Sequence, residues 1–254
     1  MTRVVPTQGI HNFRDFGGYT SQFGGRIATG QLFRSGQHKD ATAEDLEQVH
    51  RLGLAYIVDL RSDSERALYP CARHADHRAE TLFTSGNTLG LQSHIDAGTG
   101  VRTAQEAHQA MVELYRHMPL RPVLQETLRR YFARLSEDSG PSLVHCLAGK
   151  DRTGLAVALV QHQLGVHLDD IRADYMLTNS TGDAAARIAA GAEAVRANFG
   201  ADMEDGAVRT LMSVHPDYLD AAFATMGSID GYCRTQLGLS SALRDKMCAA
   251  LIVS

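Results

Sequence analysis

The chain has 254 residues, 44% of them hydrophobic and 21% charged, which is ordinary globular composition with enough length to bury a sizeable core. A net charge of -4 argues against a general nucleic-acid binder, and four scattered cysteines (Cys71, Cys146, Cys233, Cys248) without a CxxC pair argue against a disulfide framework. No stretch approaches the roughly 20 apolar residues of a membrane span, and the start MTRVVPTQGI is too polar for a signal peptide. The expectation is a cytoplasmic protein with no stable membrane insertion, export without a signal peptide being the alternative.

The first fifty residues contain two GG pairs in FRDFGGYTSQFGGRIATG and read as short strands joined by tight turns. ATAEDLEQVHRLG then predicts a helix, with Thr42 or Asp40 as its cap and Gly53 at its end. Leu54–Leu60 is a continuous apolar run, as expected of a strand buried on both faces, and RAETLF predicts another strand. Residues 86–103 lack periodicity and are expected to be loop. Helices follow over Ala104–His117 and Arg121–Leu135, then a short strand, Ser142–His145, and a helix, Thr153–Leu164. The last ninety residues are helical in pattern throughout. Strands interleaved with helices predict an α/β fold with a mostly parallel central sheet, in one domain spanning 1–254.

The stretch Ser142–Gly154, SLVHCLAGKDRTG, carries the chemistry. A strand running through a glycine-containing loop into a helix N-terminus makes an anion site, because loop N–H groups and the helix dipole both favour negative charge. Cys146 opens that loop and Arg152 closes it, so sulfur and guanidinium face one bound anion. Such a field favours the nucleophilic thiolate. A planar guanidinium binds two phosphate oxygens at once. Together these features suit in-line attack on phosphorus, a phosphocysteine intermediate and charge stabilisation by the N–H cradle and Arg152. The chemistry requires no metal or other cofactor. A nucleotide-binding GxxxxGK[ST] loop is excluded, since Val144 and Asp151 stand where it needs Gly and Ser or Thr.

The run H-C-x-x-G-x-x-R-T-G resembles the signature of the cysteine-dependent protein tyrosine and dual-specificity phosphatases. From average residue usage, its chance occurrence in a chain this long is on the order of one in 100,000 or rarer, so coincidence is set aside. The fuller HCLAGKDRTG is similar to an atypical bacterial branch exemplified by a mycobacterial enzyme. Asn12–Tyr19 (NFRDFGGY), Leu32–Gly36 (LFRSG), Val58–Arg66 (VDLRSDSER), Ala173–Ser180 (ADYMLTNS) and His215–Leu239 agree with it, so the resemblance covers nearly the whole chain. It implies a tyrosine-phosphatase-like fold with Cys146 as nucleophile and Arg152 as transition-state clamp. The backbone of Leu147, Ala148, Gly149, Lys150, Asp151 and Arg152 would form the phosphate cradle. Thr153 would donate a hydrogen bond to the thiolate, and His145 would brace the loop. In that branch the aspartate inside the loop is the proton donor, here Asp151, with Asp59 and Asp96 as alternatives. Lys150, matching a lysine of related lipid phosphatases, makes phosphoinositides credible substrates beside phosphotyrosine proteins and phosphoserine or phosphothreonine. Phosphate-like oxyanions would inhibit.

Two rival functions are weighed. A phosphate-recognition module without turnover usually lacks the Cys, the Arg or the acid, and all three candidates are present. Arsenate reduction needs resolving cysteines near the loop, where none lies in sequence. Arg14, Asp15, Arg61 and Glu65 are read as a structural ion-pair network, with Arg14 near the phosphate pocket as the alternative. The pairs His74/His77 and His162/His167 lack partners at metal-ligand spacing. Thr181–Val214, Ala-rich and punctuated by glycines, reads as two packing helices, and the resemblance implies a hinged helical lid there.

Overall fold

The computed structural model describes residues 3–87, 100–137, 140–182 and 184–254. The N-terminal turns hold three short strands, β1 (Arg14–Asp15), β2 (Arg26–Ile27) and β3 (Leu32–Ser35). Helix α1 (Ala43–Arg51) is capped by Thr42 and not by Asp40. The Thr42 hydroxyl accepts from the Asp45 N–H, and the Asp45 carboxylate accepts from the Thr42 N–H. The apolar run yields β4 (Tyr56–Asp59), and RAETLF yields β5 (Glu80–Leu82). Between them lies an unanticipated helix, α2 (Asp63–Leu68), built on a second capping box in which Ser62 and Glu65 satisfy each other's N–H groups.

Within the expected loop, residues 88–99, and with them Asp96, fall outside the described residues. Helices α3 (Ala104–His117) and α4 (Pro122–Leu135) then lead to β6 (Ser142–His145) and α5 (Asp151–Gln163). Helix α5 begins two residues earlier than the apolar pattern predicts, so Asp151 and Arg152 occupy its first turn. The C-terminal part is helical through α6 (Leu168–Met176), α7 (Ala184–Phe199), α8 (Asp205–Met212), α9 (Pro216–Met226), α10 (Ile229–Thr235) and α11 (Ser241–Leu251). It is not helical to its end. Ile252–Val253 form β7, which pairs antiparallel with β2 and ties the C-terminus to the N-terminal turns. Helices α7 and α8 fill the segment expected as a lid, and α8 packs on α3 through a small core of Val101, Ala107, Met203, Ala207 and Val208.

The central sheet has the order β1-β3-β6-β4-β5, parallel except for β1. Side chains alternate across it. Phe33, Ile57 and Leu143 pack with Ile10, Phe13 and Val49 on one face, while Leu32, Tyr56, Val58 and Val144 join the large core on the other. That large core includes α5, whose residues Leu155–Val160 are all buried between the sheet and the C-terminal helices. A helix apolar on every side must be interior. Register places Ser35, His145 and Asp59 side by side at the carboxyl ends of β3, β6 and β4. The three following loops therefore emerge together, the place where open α/β sheets bind ligands.

Candidate active site

The loop Cys146–Lys150 links β6 to α5, and its carbonyls are held outward. The Gln37 N–H donates to the Leu147 carbonyl at 2.9 Å. Asn12 Nδ2 and Arg34 Nη2 donate to the Gly149 carbonyl at 2.6 and 3.0 Å. Gly149 adopts φ +70°, and a Cβ there would lie 2.5 Å from the Gly36 nitrogen, so only glycine lets the loop lie this close to β3's end. Among the described residues, no group accepts from the N–H groups of Leu147, Ala148, Gly149 or Lys150. With no side chain capping α5, these donors and the helix N-terminus form one cradle for an anion.

Behind the loop sits a buried charge network. Arg34 and Arg14 approach the Asp174 carboxylate at 3.3 and 3.6 Å, and Tyr19 donates to it at 3.2 Å. Arg14 also bonds Asn12, a residue at φ +57°, and the Asp174 carbonyl. Arg14 thus orients Asn12, which holds Gly149. Its contacts are to the scaffold, in keeping with the structural reading. Burial, then the neighbouring Arg34 charge, pulls the Arg14 guanidinium down to about 9.

Arg152, 2% exposed, is gripped by Glu65 in a fork: Nη1 donates to Oε2 at 2.6 Å and Nη2 to Oε1 at 2.7 Å. Nη1 also donates to the Leu60 carbonyl at 3.1 Å. Burial alone would lower the guanidinium's affinity for its proton. The negative charge of Glu65 overrides this, with smaller contributions from Cys146 and Asp151, and the net shift is upward. The α2 capping box therefore serves two ends, since Glu65 closes the helix and fixes the arginine plane.

Asp151 is buried in a phenol chain. Tyr115 donates to its Oδ1 at 3.0 Å and Tyr175 donates to Tyr115 at 2.7 Å. Lys150 Nζ lies 2.9 Å from the same oxygen and 3.5 Å from the Ser213 carbonyl. Burial, reinforced by the Asp151 charge, pushes both phenols well above their ordinary value, so they stay protonated donors. Gly154 makes room for this arrangement, because a Cβ there would lie 2.8 Å from the Tyr175 ring. Thr153 Oγ1 is buried and has no hydrogen-bond partner among the described residues, Cys146 included.

Asp59 lies beside β6's end but is clamped by Arg61, with Nε and Nη2 at 2.8 and 2.6 Å. Burial would raise its carboxyl, yet His145 when protonated, and the charge and hydrogen bonds of Arg61 at any pH, hold it well below the usual carboxylate range. A carboxylate so held is ionised at neutral pH, and its lone pairs are committed to Arg61. The His145 Nδ1 lies 3.1 Å from the Cys146 carbonyl oxygen, and its ring stacks on His38 at 5.7 Å. Burial keeps both imidazoles neutral, lowering His145 from 6.5 to about 4. In the unfolded chain they take up protons near pH 6.5, whereas the folded state resists. Stability is therefore expected to fall as pH drops from about 6.5 toward about 4. Urea midpoints at pH 7 and pH 5 would show this, and His145→Gln should flatten the slope; an unchanged slope would refute the assignment.

The loop residues named from the sequence thus lie together at one sheet end. The structure adds Glu65 as the arginine's partner, Tyr115 and Tyr175 on Asp151, and Asn12, Arg34 and Asp174 behind Gly149. Asn12, Arg34, Asp174 and Tyr175 lie in NFRDFGGY, LFRSG and ADYMLTNS, whose shared resemblance was the available signal. Tyr115 carried none, since its place on an amphipathic helix reads as core.

Comparison with known proteins agrees with this geometry. A sequence model of the tyrosine phosphatase family matches residues 5–253. A Cupriavidus necator protein provisionally named as a tyrosine-protein phosphatase is 34% identical over 238 residues, 90% of this chain and 82% of the relative. The triple specificity protein phosphatase PtpB of Mycobacterium tuberculosis is 30% identical over 277 residues, 96% of this chain and 97% of the relative.

Proposed function

This chain belongs to the tyrosine phosphatase family, and from that premise we propose that it hydrolyses phosphomonoesters through a phosphocysteine formed on Cys146. As a protein-tyrosine phosphatase it acts on phosphorylated substrates. The observation that carries the reading is the loop itself. Four backbone N–H groups are unspent within the described structure, between the thiol at one end and the anchored guanidinium at the other.

In the first step the Cys146 thiolate attacks phosphorus as the bond to the leaving oxygen breaks. Arg152 and the N–H groups of Leu147–Arg152 stabilise the three equatorial oxygens. Asp151 protonates the leaving oxygen. In the second step Asp151 takes a proton from water, which displaces the thiolate and releases phosphate. Tyr115 and Lys150 fix the Asp151 carboxyl, and the bound phosphate's charge favours its protonated form.

Asp151→Asn separates the proton-donor role from binding. Phosphate esters of poor leaving groups should lose about 10²–10⁴ in rate, while nitrophenyl phosphate, whose leaving group needs no proton, should lose far less. An equal loss on both would assign the proton to another group.

For substrate, phosphotyrosine proteins come first. The Lys150 ammonium beside the cradle, and a relative named for triple specificity, support additional turnover of phosphoserine, phosphothreonine and phosphoinositides. A phosphate-release panel across those four classes, with Cys146→Ser as control, tests the breadth; release from phosphotyrosine alone would narrow it.

A further inference from the structure

We propose that His108, His215 and Asp217 form a binding site for a divalent transition-metal ion of the zinc type, a clip joining α3 to the first turn of α9. Each side chain offers one ligand atom, and these atoms lie within 4.8 Å of one another. The Asp217 Oδ2 is 3.1 Å from His108 Nε2 and 3.4 Å from His215 Nδ1. A tetrahedral zinc site with bonds of about 2.0–2.1 Å has ligand-to-ligand edges of about 3.3 Å. The two edges from Asp217 lie close to it, and the third ligand atom pair lies within 4.8 Å.

The donor set is selective. Two imidazoles and one carboxylate suit zinc, with water completing the tetrahedron, whereas calcium and magnesium take oxygen ligands throughout. His215 Nδ1 accepts the Asp217 N–H at 3.3 Å, and its one lone pair would turn from that cap bond to the ion on binding. The rings are held in place before any ion arrives. His108 packs edge-on against His215 with centroids 4.9 Å apart, and Tyr218 lies 5.2 and 5.9 Å from the two.

Helix capping explains only part of this cluster. His167 and Asp169 repeat the same local arrangement at the start of α6, with the Asp169 N–H donating to His167 Nδ1 at 3.3 Å and a carboxylate oxygen 3.4 Å away. No third ligand joins that pair among the described residues. His108 comes from another helix, 107 positions before His215, and is what converts a cap into a three-ligand set. The clip would also secure the preceding segment, where the Ser213 carbonyl meets Lys150 and Asn179 bonds both backbone groups of Val214. None of the three ligands is a residue assigned to the reaction proposed above.

The test uses the full chain carrying Cys146→Ser, which removes a thiolate that could itself take zinc. Titration of zinc against a chromophoric chelator should give one ion per chain and a raised Tm. Cobalt should give a tetrahedral visible spectrum without thiolate charge-transfer intensity. His108→Gln and Asp217→Asn should each weaken zinc binding by about 100-fold or more, beyond the 10–100-fold typical of groups that only orient a ligand. His167→Ala should leave it unchanged. Equal affinity in parent and His108→Gln, or a stoichiometry well below one, would overturn the proposal.

Discussion

Cys146→Ser is expected to lower phosphate release by about four orders of magnitude or more, the scale on which loss of a nucleophile is felt, while phosphate-ester binding persists. The two side chains are nearly isosteric, and position 146 is buried at 2% exposure, so the loop keeps its shape. The difference is chemical. A serine hydroxyl is protonated at neutral pH and attacks only when a base removes its proton. Among the described residues, Asp151 enters this step protonated as the proposed acid and is not free to act as that base. His145 turns its Nδ1 to the Cys146 carbonyl, and Asp59 is committed to Arg61. Binding depends instead on the backbone N–H groups and Arg152, which the substitution leaves intact. Vanadate or phosphopeptide titration alongside single-turnover phosphate release checks both halves. Turnover within tenfold of the parent would sink the phosphocysteine mechanism, and loss of binding at unchanged Tm would sink the cradle.

Arg152→Ala should lower kcat by about 10³–10⁵, the range found when an arginine that stabilises a transferring phosphoryl group is removed. The side chain is presented by a bidentate pair with Glu65, so Glu65 is a positioning residue for the same step. Glu65→Gln keeps the shape but removes the charge that holds a buried guanidinium. It is expected to cost stability as well as rate, because breaking a buried pair costs about 3–5 kcal/mol. The two variants differ in a measurable way. Both break the pair and should lower Tm by several degrees, but Arg152→Ala should depress kcat far more than Glu65→Gln, which keeps the guanidinium in the site. A Glu65→Gln protein with both parental kcat and parental Tm would show that the fork does no positioning.

Local pattern determined much of the fold. The runs Ser142–His145 and Leu54–Leu60 and the helical stretches at 104–117 and 121–135 become strands and helices close to their expected bounds, because periodicity and caps act within a few residues. Helix α2 was legible too: Ser62-x-x-Glu65 is a capping box in plain sequence. Its shortness hid it. The strand Ile252–Val253 was not legible, since its only reason to exist is pairing with Arg26–Ile27 more than 200 positions away.

The candidate site divides along the same line. The candidate nucleophile, cradle and arginine lie within seven consecutive residues, so strand, glycine turn and helix start bring them together by local geometry alone, and the sequence by itself determined that juxtaposition. Tertiary structure alone decided what surrounds them. Glu65 reaches Arg152 across 87 positions, Tyr115 reaches Asp151 across 36, and Asn12 and Arg34 reach Gly149 across 137 and 115. The pairing of Asp59 belongs with these, since the Arg61 clamp and the neighbouring His145 become visible only in the fold. Such contacts exist only once β3, β6 and β4 have set their register, because a hydrogen bond acts over about 3 Å and carries no trace in the spacing of residues along the chain.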